Sequence, residues 1–470
     1  MKQLLRRLPQ PSKLLLKSAL RHTFGRLPAS SSRITGELAK NGGAPVRNIR
    51  LRPWASQDFG KLAEWRTEMR SVFRGIFLGG IEGLPQPLGR EFAQQWAAYC
   101  GCRYGIVLGH GTDALRIGLA AALDHDGLDY GGEVIVPNFS FIASATAPLD
   151  RRFGLAFVDV DPGTLLLDPA RVEEAIIPGK TRAIIPVHLF GQPADMTALK
   201  AIANKHGLKI IEDAAQAHGA VWDTGPVGSL GDVAAFSFQS SKNLASGEGG
   251  ALVTNDEQLF DRAYSMHNAG RSRTDEGRWE HISLGWNCRM SEYQAGLLIH
   301  RFHKFDKQQS IRRANFQYLR ELMTNVDCLQ PLSVSPGVRA HGMYMFAMRY
   351  RPQHCGGLSI DTFLDLIQAE GAPVYRSFTA TMSNQPVMKN LITKRPEYFR
   401  RLPTPVADRA TQETVFIPQE VFLGTAADME DIVAAAKKVE RHCLKTSAVD
   451  QVRIESAEPR AHRSAVVQVR

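Results

Sequence analysis

Three stretches of the chain combine residue types and spacings that could carry chemistry, each where an apolar run gives way to polar residues. The run Tyr104-Gly105-Ile106-Val107-Leu108 passes into Gly109-His110-Gly111-Thr112-Asp113-Ala114. Glycines there let backbone approach an anion, and free amides at the start of a following helix bind phosphate. The same residues spell G-x-G-x-x-A, a variant of the dinucleotide fingerprint, and would also serve in a plain strand-to-helix turn. The second stretch, Ile210-Ile211-Glu212-Asp213-Ala214-Ala215-Gln216-Ala217-His218, delivers a carboxylate, Asp213, at the end of an apolar run. Such an acid can hold a proton on a heteroaromatic nitrogen or cap a helix. The third runs from Ala234 through Phe236-Ser237-Phe238 to Lys242-Asn243-Leu244, then Gly247-Glu248-Gly249-Gly250. It places one lysine in polar, uncharged surroundings, a setting suited to imine formation.

The elements that must position these groups alternate. Apolar runs at 104–108, 133–137, 155–158, 183–187, 208–212 and 233–238 read as strands, and 112–123, 169–176 and 195–206 as helices between them. Near-continuous apolar strands alternating with helices predict an α/β fold with a mostly parallel sheet covered on both faces. Ligands of such sheets bind beyond the carboxyl ends of the strands, where all three stretches fall. Upstream, Phe59, Leu62, Trp65, Met69 and Val72 predict a helix over 58–75, and another is expected over 90–99. A long helix at 292–323, a strand at 343–350 and helices at 360–370 and 427–442 predict a smaller α+β part. The expected organisation is a basic arm and linker over 1–45, a large domain over 46–305, a small C-terminal domain over 306–445 and a disordered tail over 446–470.

Composition limits the partners. The net charge of +10 is concentrated in residues 1–36, which hold eight Lys or Arg and no acid, leaving +2 on the remaining 434 residues. A nearly neutral body argues against nucleic acid, and the basic segment reads first as a solvated arm. Its Arg-rich, acid-poor, Leu-containing make-up also fits an organellar transit peptide or a helix touching anionic membrane. No apolar run approaches the roughly 18–20 residues of a membrane span, so no integral membrane association is expected. Six cysteines without C-x-x-C pairs or nearby histidines at zinc spacing indicate reduced thiols, a cytoplasmic setting and no metal site.

Taken together, a phosphate cradle, an acid for a ring nitrogen and an imine-forming amine at successive strand ends describe a pyridoxal 5'-phosphate site. Here the chain closely resembles the DegT/DnrJ/EryC1/StrS aminotransferases. The resemblance is carried by Val187-His188-Leu189-Phe190-Gly191-Gln192-Pro193, by Glu212 through Gly219, by Gly228-Ser229-Leu230-Gly231-Asp232 and by Phe236 through Leu244. It extends from about residue 41 to 442 and implies a fold-type-I transferase acting on sugars or cyclitols. By that resemblance Lys242 forms the imine and moves protons, Asp213 pairs with the pyridine nitrogen, and Gln216 lies near the ring hydroxyl. Phe141 stacks on the ring, while Gly111, Thr112 and Ser237 hold the phosphate. Asn287, in Gly285-Trp286-Asn287-Cys288-Arg289, reaches the phosphate of a neighbouring subunit, which implies a homodimer. Two departures stand out: Gly109-His110 replaces the usual Ser-Asn, and His267-Asn268-Ala269-Gly270-Arg271 is one residue longer than the family's Asn-His-Gly-Arg.

Within the family, Gly42-Gly43-Ala44-Pro45-Val46-Arg47 leading to Pro53-Trp54, and Gly356-Gly357-Leu358-Ser359 with Glu370-Gly371-Ala372-Pro373, lean toward the branch that aminates cyclitols. That branch includes glutamine:scyllo-inosose aminotransferases and aminohydroxybenzoate synthases. The implied activity transfers an amino group from glutamine or glutamate to a keto-sugar or keto-cyclitol. A family dehydratase is the alternative, but there histidine typically replaces the lysine. A nicotinamide dehydrogenase would use Gly109–Ala114 with Glu133 as its ribose acid and leave Asp213 and Lys242 idle. A non-catalytic regulatory relative finds no support in the intact central motifs.

Overall fold

The computed structural model describes residues 37–47, 66–70, 72–73, 87–274 and 280–456. The helix expected over 58–75 lies mostly outside these residues, as do the basic segment 1–36 and Pro53-Trp54. In chain order come α1 (Pro87–Tyr99), β1 (Tyr104–Leu108), α2 (Gly111–Ala122), β2 (Glu133–Pro137), α3 (Ala143–Asp150) and β3 (Gly154–Val158). They are followed by α4 (Pro169–Ala175), β4 (Thr181–Ile184), α5 (Met196–His206), β5 (Lys209–Asp213), β6 (Val233–Ser237), β7 (Gly250–Thr254) and α6 (Glu257–His267). The later elements are α7 (Glu292–Leu322), β8 (Leu329–Pro331), β9 (Met345–Tyr350), α8 (Ile360–Ala369), β10 (Tyr375–Arg376), β11 (Phe399–Arg401), β12 (Thr414–Pro418) and α9 (Ala426–Ser456).

The large sheet has the order β1-β7-β6-β5-β4-β2-β3-β11. β7 is antiparallel to both its neighbours and the remaining pairs are parallel. β2, β3 and β7 are buried at every position, as strands covered on both faces require. Helix boundaries have local causes. Asp195 and Asp256 cap α5 and α6 by accepting main-chain N–H bonds, and Ser291 with Gln294 forms a capping box at the start of α7. A second, antiparallel sheet has the order β8-β9-β12-β10 and shares an apolar core with α8 and α9.

Several features depart from the sequence reading, the unexpected α3, β8, β10 and β12 among them. β7 was not anticipated, its five-residue run being masked by the glycine cluster before it. β11, late in the chain, completes the far edge of the large sheet against β3. α9 continues to Ser456, beyond the expected tail boundary at 445. The two stretches marked as branch features also meet. Glu370 accepts N–H bonds from Ala39 (2.8 Å) and Val46 (3.0 Å) and pairs with Lys438 (2.9 Å), while Arg47 pairs with Asp428. Residues 38–47 are thereby strapped to α8 and α9.

Candidate active site

Lys242 sits in the turn after β6. The strand end that leads into this turn is part of an aromatic platform in which Trp96 of α1 meets Phe236, Phe238 and His218 edge-on at centroid distances of 5.1, 5.2 and 5.4 Å. A fully buried platform of this kind leaves the strand end little freedom to shift. Lys242 Nζ lies 3.3 Å from the Tyr344 hydroxyl and 4.3 Å from that ring's centroid. Ser241 Oγ is also 3.0 Å from the same hydroxyl.

Asp213 ends β5 and is buried. Its Oδ2 accepts from Ser144 Oγ at 2.7 Å and its Oδ1 from the Ala215 N–H at 3.3 Å. Burial pushes the carboxyl above the usual carboxylate range, against the opposing pull of Ser144, the Ala215 amide and the charge of Lys242. A buried acid held this way is suited to a cationic partner. The neighbouring Glu212 has a different task. Its two oxygens take the N–H groups of Gly228, Leu230 and Gly231 and the Nε2 of His188, all within 2.7–3.0 Å. His188 Nδ1 accepts from the Ala194 N–H, so Nε2 carries the proton given to Glu212.

The anion cradle is built by close approach. A Cβ on Gly111 would stand 2.8 Å from the Ser237 Cβ, so only glycine lets the α2 N-terminus come this near to β6. Helix N-termini leave amides without intrahelical partners, and Gly111 and Thr112, the first two residues of α2, line the same cavity as Ser237. His110 occupies the N-cap position without a capping bond, its Nδ1 instead 3.3 Å from Asp113 Oδ2.

Gly111, Thr112, Phe141, Asp213, Gln216, Ser237 and Lys242 all line one cavity of about 530 Å³, together with His110, Tyr344 and Phe378. Phe141 is 58% exposed, leaving a ring face open at the mouth. Gln216 Oε1 accepts the N–H of Phe190, a residue in the left-handed region at φ 61°, which leaves the donor end of the amide for the cavity. Asn287 is not among the lining residues. It is exposed, on a segment bridged to Asn268, and the guanidinium groups of Arg116 and Arg151 lie over the ring of the adjoining Trp286, 5.3 and 4.1 Å from its centroid. Sequence reasoning missed Ser144 and Tyr344. Glu133, the acid a dinucleotide site would use, is buried at the start of β2 against Arg400 and Thr181.

Residues 84–437 match the DegT/DnrJ/EryC1/StrS aminotransferase family, and the chain belongs to it. Among its relatives, the L-glutamine:2-deoxy-scyllo-inosose aminotransferase of Streptoalloteichus tenebrarius is 36% identical over 422 residues, covering 86% of this chain and 98% of that protein. The solved structure of 3-amino-5-hydroxybenzoic acid synthase is 28% identical and superposes with a TM-score of 0.71 over 83% of this chain and 98% of the other. DesV of S. venezuelae, solved in complex with a ketimine intermediate, is 29% identical with a TM-score of 0.70 over 81% and 97% of the two chains. The enzyme is thus an aminotransferase with the α/β transferase fold the motifs implied. No helix among the described residues is long and apolar enough to cross a membrane.

Proposed function

We propose that the chain is a pyridoxal 5'-phosphate-dependent aminotransferase that moves the amino group of glutamine onto a keto-cyclitol. Support for the cofactor comes from the donor set. An anion cradle at Gly111, Thr112 and Ser237, a buried acid, an amine and an open aromatic face surround one cavity. Bound there, the cofactor supplies a carbonyl for imine exchange and an electron-withdrawing ring. Asp213 holds positive charge at the ring nitrogen, which offsets the burial of its own carboxylate. Phe141 covers one ring face and Gln216 donates toward the ring hydroxyl. Lys242 Nζ would take the proton from the α carbon of the amino donor and release it on the cofactor side of the C–N bond instead of back to that carbon, with the Tyr344 hydroxyl holding the amine in place between transfers. In this reading Asn287, exposed and outside its own chain's cavity, reaches the phosphate of a second copy, and the working unit is a homodimer. Glutamine and a cyclitol ketone are favoured by the relatives of matching length, which carry those substrates in their names.

The observation that carries the reading is that Lys242 and Asp213 open onto the same cavity. The test loads purified protein with pyridoxal phosphate, follows the visible absorbance and its loss on borohydride reduction, then supplies glutamine and a keto-cyclitol. Lys242→Ala is expected to abolish turnover, and Asp213→Ala to weaken cofactor retention as well. A Lys242→Ala protein that still transaminates would remove the assignment.

A further inference from the structure

Below the lysine turn, α7 buries a polar stripe that the proposed reaction does not use. Gln309, Arg312 and Asn315 follow at three-residue steps on one helix face and are all buried, in a helix whose other buried residues include Phe305, Phe316 and Leu319. Burying such groups costs stability unless each is bonded, and the bonds converge on the segments that carry the site. Gln309 Nε2 donates to the carbonyls of His218 (2.9 Å) and Gly342 (3.1 Å). Asn243 Nδ2, one residue after Lys242, donates to Gln309 Oε1 (3.1 Å) and to the carbonyl of Gly342 (2.7 Å), two residues before Tyr344. Arg312 donates to Gln309 Oε1 (3.1 Å) and to Gln419 Oε1 (2.9 Å), and Asn315 Nδ2 donates to the carbonyls of Phe422 and Gly424, both at 2.9 Å.

One helix face therefore ties together the lysine turn, the Tyr344 segment, the end of the Asp213 motif and residues 419–424. We propose that Gln309, buttressed by Arg312, is a positioning residue that sets Lys242 Nζ against the Tyr344 hydroxyl. This rests on the function proposed above. It goes further by assigning the alignment of amine and phenol to groups that touch neither substrate nor cofactor. A displacement of about 1 Å at reacting groups costs on the order of a hundredfold in rate. A stripe that only satisfied stray carbonyls would change the melting temperature and leave the rate alone.

The test uses the full-length protein loaded with pyridoxal phosphate. In Gln309→Leu, kcat is expected to fall by about tenfold to a hundredfold, with KM for glutamine and the cofactor Kd changing by less than about threefold. The effect of Tyr344→Phe on kcat should also shrink to near nothing in the Gln309→Leu background, since both changes break one alignment. If Gln309→Leu does not fold, Gln309→Glu carries the same expectation. It keeps the acceptor facing Asn243 and Arg312, removes the donor to His218 and Gly342, and sets a carboxylate oxygen against those two carbonyls. Unchanged kcat, or fully additive effects with Tyr344→Phe, would overturn the positioning role while leaving the aminotransferase reading intact. A wild-type protein that takes up no pyridoxal phosphate would overturn both.

Discussion

Asp213 shows how much a single hydroxyl can decide. Its carboxyl is raised by burial, and the Ser144 hydroxyl at 2.7 Å is one of the few groups favouring the charged form. A hydrogen bond to a charged group contributes about 1.5–3 kcal/mol. Ser144→Ala is therefore expected to weaken pyridoxal phosphate binding by about tenfold or more while shifting the melting temperature little. An absorbance titration of both proteins checks this, and equal affinities would show that Ser144 does not support the acid. Lys242 and Asp213 could be read in the sequence because Asp213 ends one apolar run and Lys242 sits in the polar turn that follows another, and the two runs form the parallel neighbours β5 and β6. Ser144 and Tyr344 could not. Ser144 sits among small residues, 69 positions before its carboxylate, and Tyr344 comes 102 positions after the lysine, so only tertiary packing makes them neighbours.

At the level of elements, the cradle depends on how closely α2 meets β6. Gly111→Ala would press a methyl against the Ser237 Cβ and the Phe236 carbonyl. Overpacking of this kind costs about 1–3 kcal/mol, and the relief available is for the helix end to move off the strand. The variant is expected to fold, to lose cofactor affinity and to release inorganic phosphate more readily than the parent in a competition assay. An unchanged affinity would mean that the anion is held elsewhere. The principal strands and helices were readable because fully buried strands and amphipathic helices differ in period. α3 escaped because it is short, built of small residues and contains Pro148. Glu212 stood in the most informative motif yet serves the fold, clamping the Gly228–Gly231 turn through three main-chain N–H groups. Spacing alone does not separate an acid that binds backbone from one that meets a ligand.

For the molecule as a whole, buried histidines set the acid limit of stability. Burial lowers His218 to about 3 and His267 to about 4, each with its ring nearly inaccessible. Both bind a proton more weakly folded than unfolded. Their contribution is complete above pH 6.5 and is lost as pH falls toward those values, at up to about 1.4 kcal/mol per pH unit for each. Asp213, raised by burial, works in the opposite sense, while His341, which burial also lowers to about 3, adds to the histidine side. The unfolding free energy of the protein without cofactor is expected to drop between pH 7 and 5, and His267→Gln should flatten the slope. A pH-independent profile across that range would contradict the burial of these rings. The joining of β11 to β3 has a consequence for synthesis. The last strand of the catalytic sheet is encoded some 240 positions after its neighbour, and Asp159, at the end of β3, takes the N–H groups of Val406 and Ala407. During translation the β3 edge therefore stays unpaired until most of the polypeptide has left the ribosome, and an interrupted chain would present that edge to any other nascent copy.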